Sequence, residues 1–347
     1  MKVLVSALEH SANVHLEALQ NELNDDVEFL GIFEKKLGEP IVDLSTLAVM
    51  GFVDALKKLP FFLKLSSQML DLAQEADKVL LIDASGFNLP LAKKLKKRYP
   101  DKEIIYYILP QAWAWRSKRI EVINATVDTM ASILPFEKHY YPKDSSIQYV
   151  GHPLLDEIHV FKEQLITSGK IAFMPGSRKG EISKLMPIFK TLAMRLKEKE
   201  CVLIIPSHFR TEQIHALYGD LSGFTISHEP HQALYEAEFA FICSGTATLE
   251  ASLIGTPFVL SYIAKPLDYF IGSRLVKLEY VGLGNIMFSK MCGRRLHEEL
   301  LQDAVTADNL YNTYVHMDKE LFFSDAKQLR NYLQHGSSAT VARLIEA

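Results

Sequence analysis

Short apolar runs alternate with amphipathic stretches along almost the whole chain. In the first half, Val3–Ser6, Val27–Ile32, Val79–Ile82, Ile104–Ile108, Met130–Ile133 and Ile147–Val150 read as strands. In the second half, Ile171–Met174, Val202–Ile205, Phe224–Ile226, Phe239–Ile242 and Phe258–Ser261 do the same. Segments of helical period lie between them, such as Leu89–Arg98, Ile182–Glu198 and Gln232–Ala237. Apolar strands separated by helices predict an α/β protein built on parallel, doubly wound, Rossmann-like sheets. Two sheets are expected, joined by a polar helical segment over 157–169 that ends at Ser168-Gly169. After Tyr280 the pattern turns helical, over 298–305, 308–318, 326–335 and 340–347.

Composition narrows the class. A chain of 347 residues, 48% hydrophobic and 23% charged, has the balance of a globular protein with two cores. Its net charge of −4 argues against broad nucleic-acid binding. Cys201, Cys243 and Cys292 are far apart, and the first two sit in apolar runs, so they read as buried thiols rather than a disulfide frame or metal site. Glu9 interrupts the first apolar run before it reaches the length of a secretory signal. The longest charge-free runs, 104–115 and 251–264, fall short of the roughly 18 residues a membrane-spanning helix needs. A cytoplasmic protein that does not cross a membrane is therefore expected. The histidines, including His208, His228 and His231, show no metal-ligand spacing.

In open α/β sheets, ligands bind beyond the carboxyl ends of the strands, so the turns there hold the candidate chemistry. The strand over 239–243 runs into Ser244-Gly245-Thr246 and then a helix that ends at Gly255, with Pro257 just beyond. A small Gly-containing turn opening a helix leaves free N–H groups at the positive end of the dipole, which suits an anion. Glu250, one turn in, offers acceptors for a ribose diol. Ile171–Met174 leads likewise into Pro175-Gly176-Ser177-Arg178. Ser177 can cap that helix, but Arg178 and Lys179 place cations against its dipole, an arrangement a bound anion would relieve. Two such turns, one bearing an arginine, suit a diphosphate held without metal.

In the first half, Val79–Ile82 runs into Asp83-Ala84-Ser85-Gly86-Phe87-Asn88. A carboxylate just past a buried strand is placed to act as a general base or, equally, to cap the next helix. Glu9, past the first strand, is a second candidate base, with Ser11 or Asn13 as the helix cap. Both tryptophans fall in Gln111-Ala112-Trp113-Ala114-Trp115-Arg116, either lining a ligand site with Arg116, Lys118 and Arg119 or forming a packed aromatic corner. The segment over 47–65 is apolar on most sides with a rim of Lys57, Lys58 and Lys64, which fits a membrane-surface or acyl-chain contact as well as a buried helix pair.

Taken in order, these loops resemble the lipid-A-disaccharide synthase family, inverting glycosyltransferases of the glycosyltransferase-B fold. The resemblance spans nearly the full length. It is carried by Leu47-Ala48-Val49-Met50-Gly51, Ile82-Asp83-Ala84 with Phe87-Asn88, Trp113-Ala114-Trp115-Arg116, Leu134-Pro135-Phe136-Glu137-Lys138, Gly151-His152, Pro175–Arg178 and Ser244–Glu250. It implies two Rossmann-like domains facing a cleft: an acceptor and lipid domain over 1–165, completed by helices over about 320–347, and a UDP-sugar domain over 166–319.

The implied reaction transfers 2,3-diacylglucosamine from its UDP conjugate to the 6-hydroxyl of 2,3-diacylglucosamine 1-phosphate, giving the β-1,6-linked disaccharide 1-phosphate and UDP. This is a step of lipid A and lipopolysaccharide synthesis in a Gram-negative bacterium. By position Asp83 matches the family's base and Arg178 its diphosphate-binding arginine. Gly176, Ser177, Ser244, Gly245, Thr246, Ala247 and Thr248 would hold the phosphates of UDP, and Glu250 its ribose. Glu9, Ser11, Asn88, Trp113, Trp115 and Arg116 would face the acceptor, with Val49, Met50, Phe52, Val53 and Leu56 on its acyl chains or the inner membrane surface. No cofactor or metal is implied, and a homodimer stays open.

The sequence departs from the family at Leu8-Glu9-His10-Ser11-Ala12-Asn13, where Gly-Glu-Thr-Ser-Gly-Asp is usual, and at Gly86, where an Asp is common. The second change leaves Asp83 as the only carboxylate in its loop. A UDP-sugar 2-epimerase of the same fold and a non-catalytic UDP-sugar or lipid-binding protein are the alternatives.

Overall fold

The computed structural model describes residues 1–43, 59–115, 117–207, 209–264 and 279–347. Arg116, His208 and most of the 47–65 segment, with Val49, Met50, Phe52, Val53 and Leu56, lie outside the described residues. The chain divides into two units, Met1–Glu157 with Leu333–Ala347, and Ile158–Tyr332.

The first unit is a seven-stranded sheet of β1 (Lys2–Ser6), β2 (Glu28–Phe33), β3 (Val42–Asp43), β4 (Lys78–Ile82), β5 (Glu103–Tyr107), β6 (Thr129–Ser132) and β7 (Ile147–Tyr149). The strands lie in the order β3-β2-β1-β4-β5-β6-β7, and every pairing is parallel. Alternate residues feed opposite faces, as strand geometry requires. Leu4, Val79, Leu81, Ile104 and Tyr106 pack with Met69, Leu95 and Ile123 on one side. Val3, Val5, Leu80, Ile82, Ile105 and Tyr107 pack with Leu16, Leu19, Val341 and Ile345 on the other. Both faces are dry, so the strands read as unbroken apolar runs rather than alternating ones. Burying each of the larger side chains contributes about 1.5–3 kcal/mol.

The second unit is a six-stranded parallel sheet of β8 (Lys170–Met174), β9 (Glu200–Ile204), β10 (Thr225–Ser227), β11 (Phe239–Cys243), β12 (Phe258–Tyr262) and β13 (Glu298–Leu301), in the order β10-β9-β8-β11-β12-β13. Its centre is aromatic: Phe173 lies 5.4 Å from Phe189 and 5.2 Å from Phe241, ring centre to ring centre. Helix Lys179–Arg195 covers it with Ile182, Leu185, Met186, Phe189 and Leu192, spaced by threes and fours as one helical face requires.

Several boundaries differ from the sequence pattern. The first unit breaks off at Glu157 rather than at 165, and residues 158–169, expected as a helical connection, contain no helix. Residues 298–301, expected as helix, form the edge strand β13, because pairing with β12 outweighs the helical propensity of Glu and Leu. Helix Lys319–Leu333 sits with the second unit: Phe322 packs edge-on against Phe258 at 5.7 Å, and Arg330 reaches the Ile254 carbonyl. Only the last helix, Ser337–Glu346, returns to the first sheet, where Asp156 accepts from Gly336 N and Ser338 N.

Candidate active site

Both sheets reverse their winding at one point, between β1 and β4 in the first and between β8 and β11 in the second. Ligands of doubly wound folds bind at such points, where loops leave adjacent strands in opposite directions and open a crevice. The candidate residues divide between these two places.

In the first unit Asp83 follows β4 directly. Asp83 (φ 46°) and Ala84 (φ 40°) both take the left-handed conformation, which costs a non-glycine residue about 1–3 kcal/mol and persists only when the surroundings impose it. The surroundings are visible. Asp83 N donates to Tyr107 O at 3.1 Å, and the Tyr106 hydroxyl donates to Asp83 O at 2.6 Å. Asn88 Nδ2 donates to Ile82 O at 3.1 Å and to Asp83 O at 3.0 Å, while Ser6 on β1 donates to Asn88 Oδ1 at 2.6 Å. The turn is therefore braced from both neighbouring strands, and its side chain is half-buried. Burial pushes the Asp83 carboxyl above its ordinary range, against the Ala84 amide and the positive charge of His15, which pull it down.

These bonds correct the reading of Asn88. Its side chain is fully buried and engaged by Ser6 and two carbonyls, so it braces the Asp83 turn and does not face an acceptor. Asn88→Ala is expected to lower stability by about 1–3 kcal/mol, because a buried hydroxyl and two carbonyls lose their partner. A lower urea midpoint, with kcat falling and UDP binding unchanged, would show it.

Glu9 precedes helix His10–Gln20 on the loop after β1, with Ser11 exposed beside it. Partial burial and the neighbouring Asp83 carboxylate raise the Glu9 pKa, which places the two acids in one field. Asn13 is buried and ties the loop down, donating to Ala7 O and Glu9 O and accepting from Glu34 N. Trp113 stands in a packed aromatic corner, edge-on to Phe136 at 5.1 Å and tilted against Tyr140 at 5.6 Å. Trp115 closes the short helix Ala112–Trp115. Glu137, beside this corner, is a buried acid that the sequence pattern assigned no role. Burial pushes its pKa up to about 7, although the Ser132 hydroxyl donates to it at 2.5 Å. An acid directly after the apolar run Ile133–Phe136, within the motif Leu134–Lys138, is the signal the sequence holds for it.

In the second unit the two predicted turns leave adjacent, paired strands, β8 and β11. Gly176 (φ 96°) is wedged between them: a Cβ there would strike the Glu181 side chain and lie 3.2 Å from Cys243 Sγ. Cys243 is buried, its thiol pushed up to about 12 chiefly by burial, so it is packing rather than a nucleophile. The helix after β8 begins at Lys179, with Arg178 rather than Ser177 at its cap position. Glu181 reaches back to Arg178 N at 3.3 Å and pairs with the Arg178 guanidinium at 3.1 Å. The cation thus has an internal counter-ion in place of the anion the sequence pattern demanded. The Arg178 side chain is nonetheless 83% exposed and open to a ligand.

Gly245 (φ 154°) opens helix Thr246–Ile254, and Gly255 (φ 90°) closes it. Thr248 N and its hydroxyl both bond Gly245 O, at 3.2 and 2.8 Å. Thr248 is fully buried, so its hydroxyl staples the turn instead of touching phosphate, a second correction. The N–H groups of Thr246 and Ala247, in the first turn, have no carbonyl four residues back within the helix. Glu250 lies one turn further on, 3.6 Å from His231 Nε2 and mostly buried.

Twin doubly wound sheets, one with a strained acid at its switch point and the other with an anion turn and arginine at its own, define the class of two-domain nucleotide-sugar enzymes of the glycosyltransferase-B fold. Solved structures carry the fold across the whole chain. A UDP-N-acetylglucosamine 2-epimerase from Neisseria meningitidis bound to UDP-GlcNAc matches with a TM-score of 0.64 at 12% identity, covering 100% of both chains. The calicheamicin glycosyltransferase matches at 0.61 and 13%, covering 99% of this chain and 97% of its own. The family model for lipid-A-disaccharide synthetase matches residues 3–341. A lipid-A-disaccharide synthase from Helicobacter pylori is 48% identical over 98% of this chain and 96% of its own length, and one from Campylobacter jejuni is 43% identical over 99% and 98%. The chain belongs to the lipid-A-disaccharide synthase family and is a glycosyltransferase.

Proposed function

We propose that the chain transfers 2,3-diacylglucosamine from UDP-2,3-diacylglucosamine to the 6-hydroxyl of 2,3-diacylglucosamine 1-phosphate, with Asp83 as base and the two turns of the second unit as diphosphate site. The observation that carries the reading is the placement of Asp83 at one switch point and of Arg178 with Ser244–Ala247 at the other. In a single in-line displacement the acceptor O–H proton passes to the Asp83 carboxylate as oxygen bonds the anomeric carbon. The bond from that carbon to the diphosphate breaks, and its electron pair leaves with UDP. The charge arriving on the diphosphate meets the Arg178 guanidinium and the N–H groups of Thr246 and Ala247. Arg178 exchanges its Glu181 partner for the diphosphate, and Glu250 takes the ribose hydroxyls.

Acyl chains and the inner face of the inner membrane are assigned to the segment ending in helix Leu59–Leu72. Phe61 and Leu63 are 36% and 54% exposed. Phe62 meets Phe61 edge-on at 5.5 Å and lies 6.0 Å from Phe87, in the helix that follows Asp83. This apolar end suits peripheral attachment from the cytoplasm. Among the described residues no helix is long and apolar enough to span a membrane.

Incubation with both diacylated sugars is expected to release UDP and a disaccharide 1-phosphate. No disaccharide, or a 2-epimerised UDP-sugar, would overturn the reading. Flotation with anionic vesicles is expected for the native chain and lost in the double variant Phe61→Glu/Leu63→Glu. Equal flotation of both would remove the membrane assignment.

A further inference from the structure

Helix Lys118–Thr126 follows the tryptophan loop. Its Ile120 and Ile123 belong to the same core cluster as Leu89, Leu91 and Leu95 of helix Ser85–Arg98. That packing brings Arg119 to the start of the second helix, where Arg119 Nη1 donates to Ser85 Oγ at 3.0 Å in a partly buried contact. Ser85 stands two residues after Asp83, and Cα atoms two residues apart lie at most about 7 Å from each other. The guanidinium is thus tied to the turn that presents Asp83. Among the described residues it is the one cation bonded to the 83–88 loop. The basic residues of helix Ser85–Arg98 lie in its second half, where Lys94 donates to Ser66, Lys96 to Asp128 and Arg98 to Asp71. Beside Ser85 there is room for a ligand: a Cβ on Gly86 would meet nothing within 4 Å.

We propose that Arg119, steadied by Ser85, holds the 1-phosphate of the acceptor and so makes the phosphorylated sugar the preferred acceptor. The inference deepens the transferase reading and rests on it.

The acceptor brings two groups to this turn. Its 6-hydroxyl must meet Asp83, and its phosphate lies across the same hexose ring, with a charge of about −1.5 to −2 near neutral pH. A charge drawn out of water needs an opposite charge and hydrogen bonds where it arrives. Asp83 repels a phosphate, so the cation has to stand one sugar away from the base and on the same side of the fold. Arg119 meets both conditions. Its planar guanidinium can give a phosphate two parallel N–H bonds. The Ser85 hydroxyl fixes the orientation of that group in advance, which lowers the ordering cost of binding. Lys118, the neighbouring cation, is exposed.

The test compares 2,3-diacylglucosamine 1-phosphate with 2,3-diacylglucosamine as acceptors, reading kcat/KM from UDP release at saturating UDP-2,3-diacylglucosamine. The native chain is expected to prefer the phosphorylated acceptor by about 10–100-fold, the worth of hydrogen bonds to a charged group. Arg119→Gln should collapse that ratio through a higher KM for the phosphorylated acceptor, with KM for the UDP-sugar unchanged. Arg119→Lys should restore part of it, because the charge remains and the fork is lost. UDP binding checks folding, and Arg119→Met takes the place of Arg119→Gln should the latter fail to fold. A purely structural role for Arg119 would slow both acceptors alike. An intact ratio in a variant that binds UDP normally therefore overturns the proposal, as does a native chain with no preference. Loss of flotation on phosphatidylglycerol vesicles with the ratio intact assigns the arginine to a membrane headgroup and also overturns it. No disaccharide from the native chain with either acceptor overturns the transferase reading first and this inference with it.

Discussion

Asp83→Asn is expected to cut kcat by about 10²–10⁴-fold, the usual worth of a positioned general base, while UDP binds as in the native chain. The substitution isolates the chemistry. Asn fits the left-handed backbone at φ 46° better than most residues, and it keeps the bonds that the Asp83 backbone makes with Tyr106, Tyr107 and Asn88. It also removes a carboxylate whose burial disfavours its charge, so the urea midpoint should hold or rise. Turnover is measured as UDP release with both diacylated sugars, and binding by calorimetry with UDP. Native turnover in the variant would remove Asp83 from the reaction. The raised pKa sets the sign of the pH dependence that the proposed mechanism implies: Asp83 acts as base only when ionised, so kcat is expected to fall as pH drops through a value above the ordinary aspartate range near 4.

Arg178→Ala is the second large effect, with a loss of about 10²–10³-fold in kcat and a higher KM for the UDP-sugar. In the proposed mechanism the guanidinium opposes the charge that grows on the leaving diphosphate, so its removal would weaken the transition state more than the ground state. Arg178→Lys should recover only part of this, because an ammonium cannot reproduce the planar fork that grips two oxygens. Folding should be nearly indifferent. Arg178 is 83% exposed, its partner is one glutamate three residues on, and exposed pairs contribute about 0–1 kcal/mol. An unchanged kcat in a well-folded variant would place the diphosphate elsewhere.

Much of this was legible before any fold was seen. Every strand expected from the apolar runs is present, and Gly176, Gly245 and Gly255 mark real turns because their backbones enter regions that side chains disfavour. The differences fall where a residue's role depends on which partners its polar groups find once the chain is folded. Glu298–Leu301 carries helix formers yet pairs with β12. Asn88 and Thr248 looked like outward polar groups at a site; both are buried and hold the turns from inside. Arg178 looked like a cation without a partner until Glu181 was seen to fold back on it. Periodicity shows which face is apolar, but it does not show which polar groups the packing has already satisfied.

What the sequence determined by itself is the local grammar: strands covered on both faces, glycine turns opening helices, and an acid and an arginine just past strand ends. These depend on side-chain period and backbone sterics, which act over a few residues. The tertiary structure alone decided that β1 lies beside β4 and β8 beside β11, so that Glu9 and Asp83 share one field and Gly176 packs on Cys243. It alone joined Arg119 to Ser85. Strand order and burial are set by crossovers and shared cores spanning tens to hundreds of residues, and no local pattern carries that information.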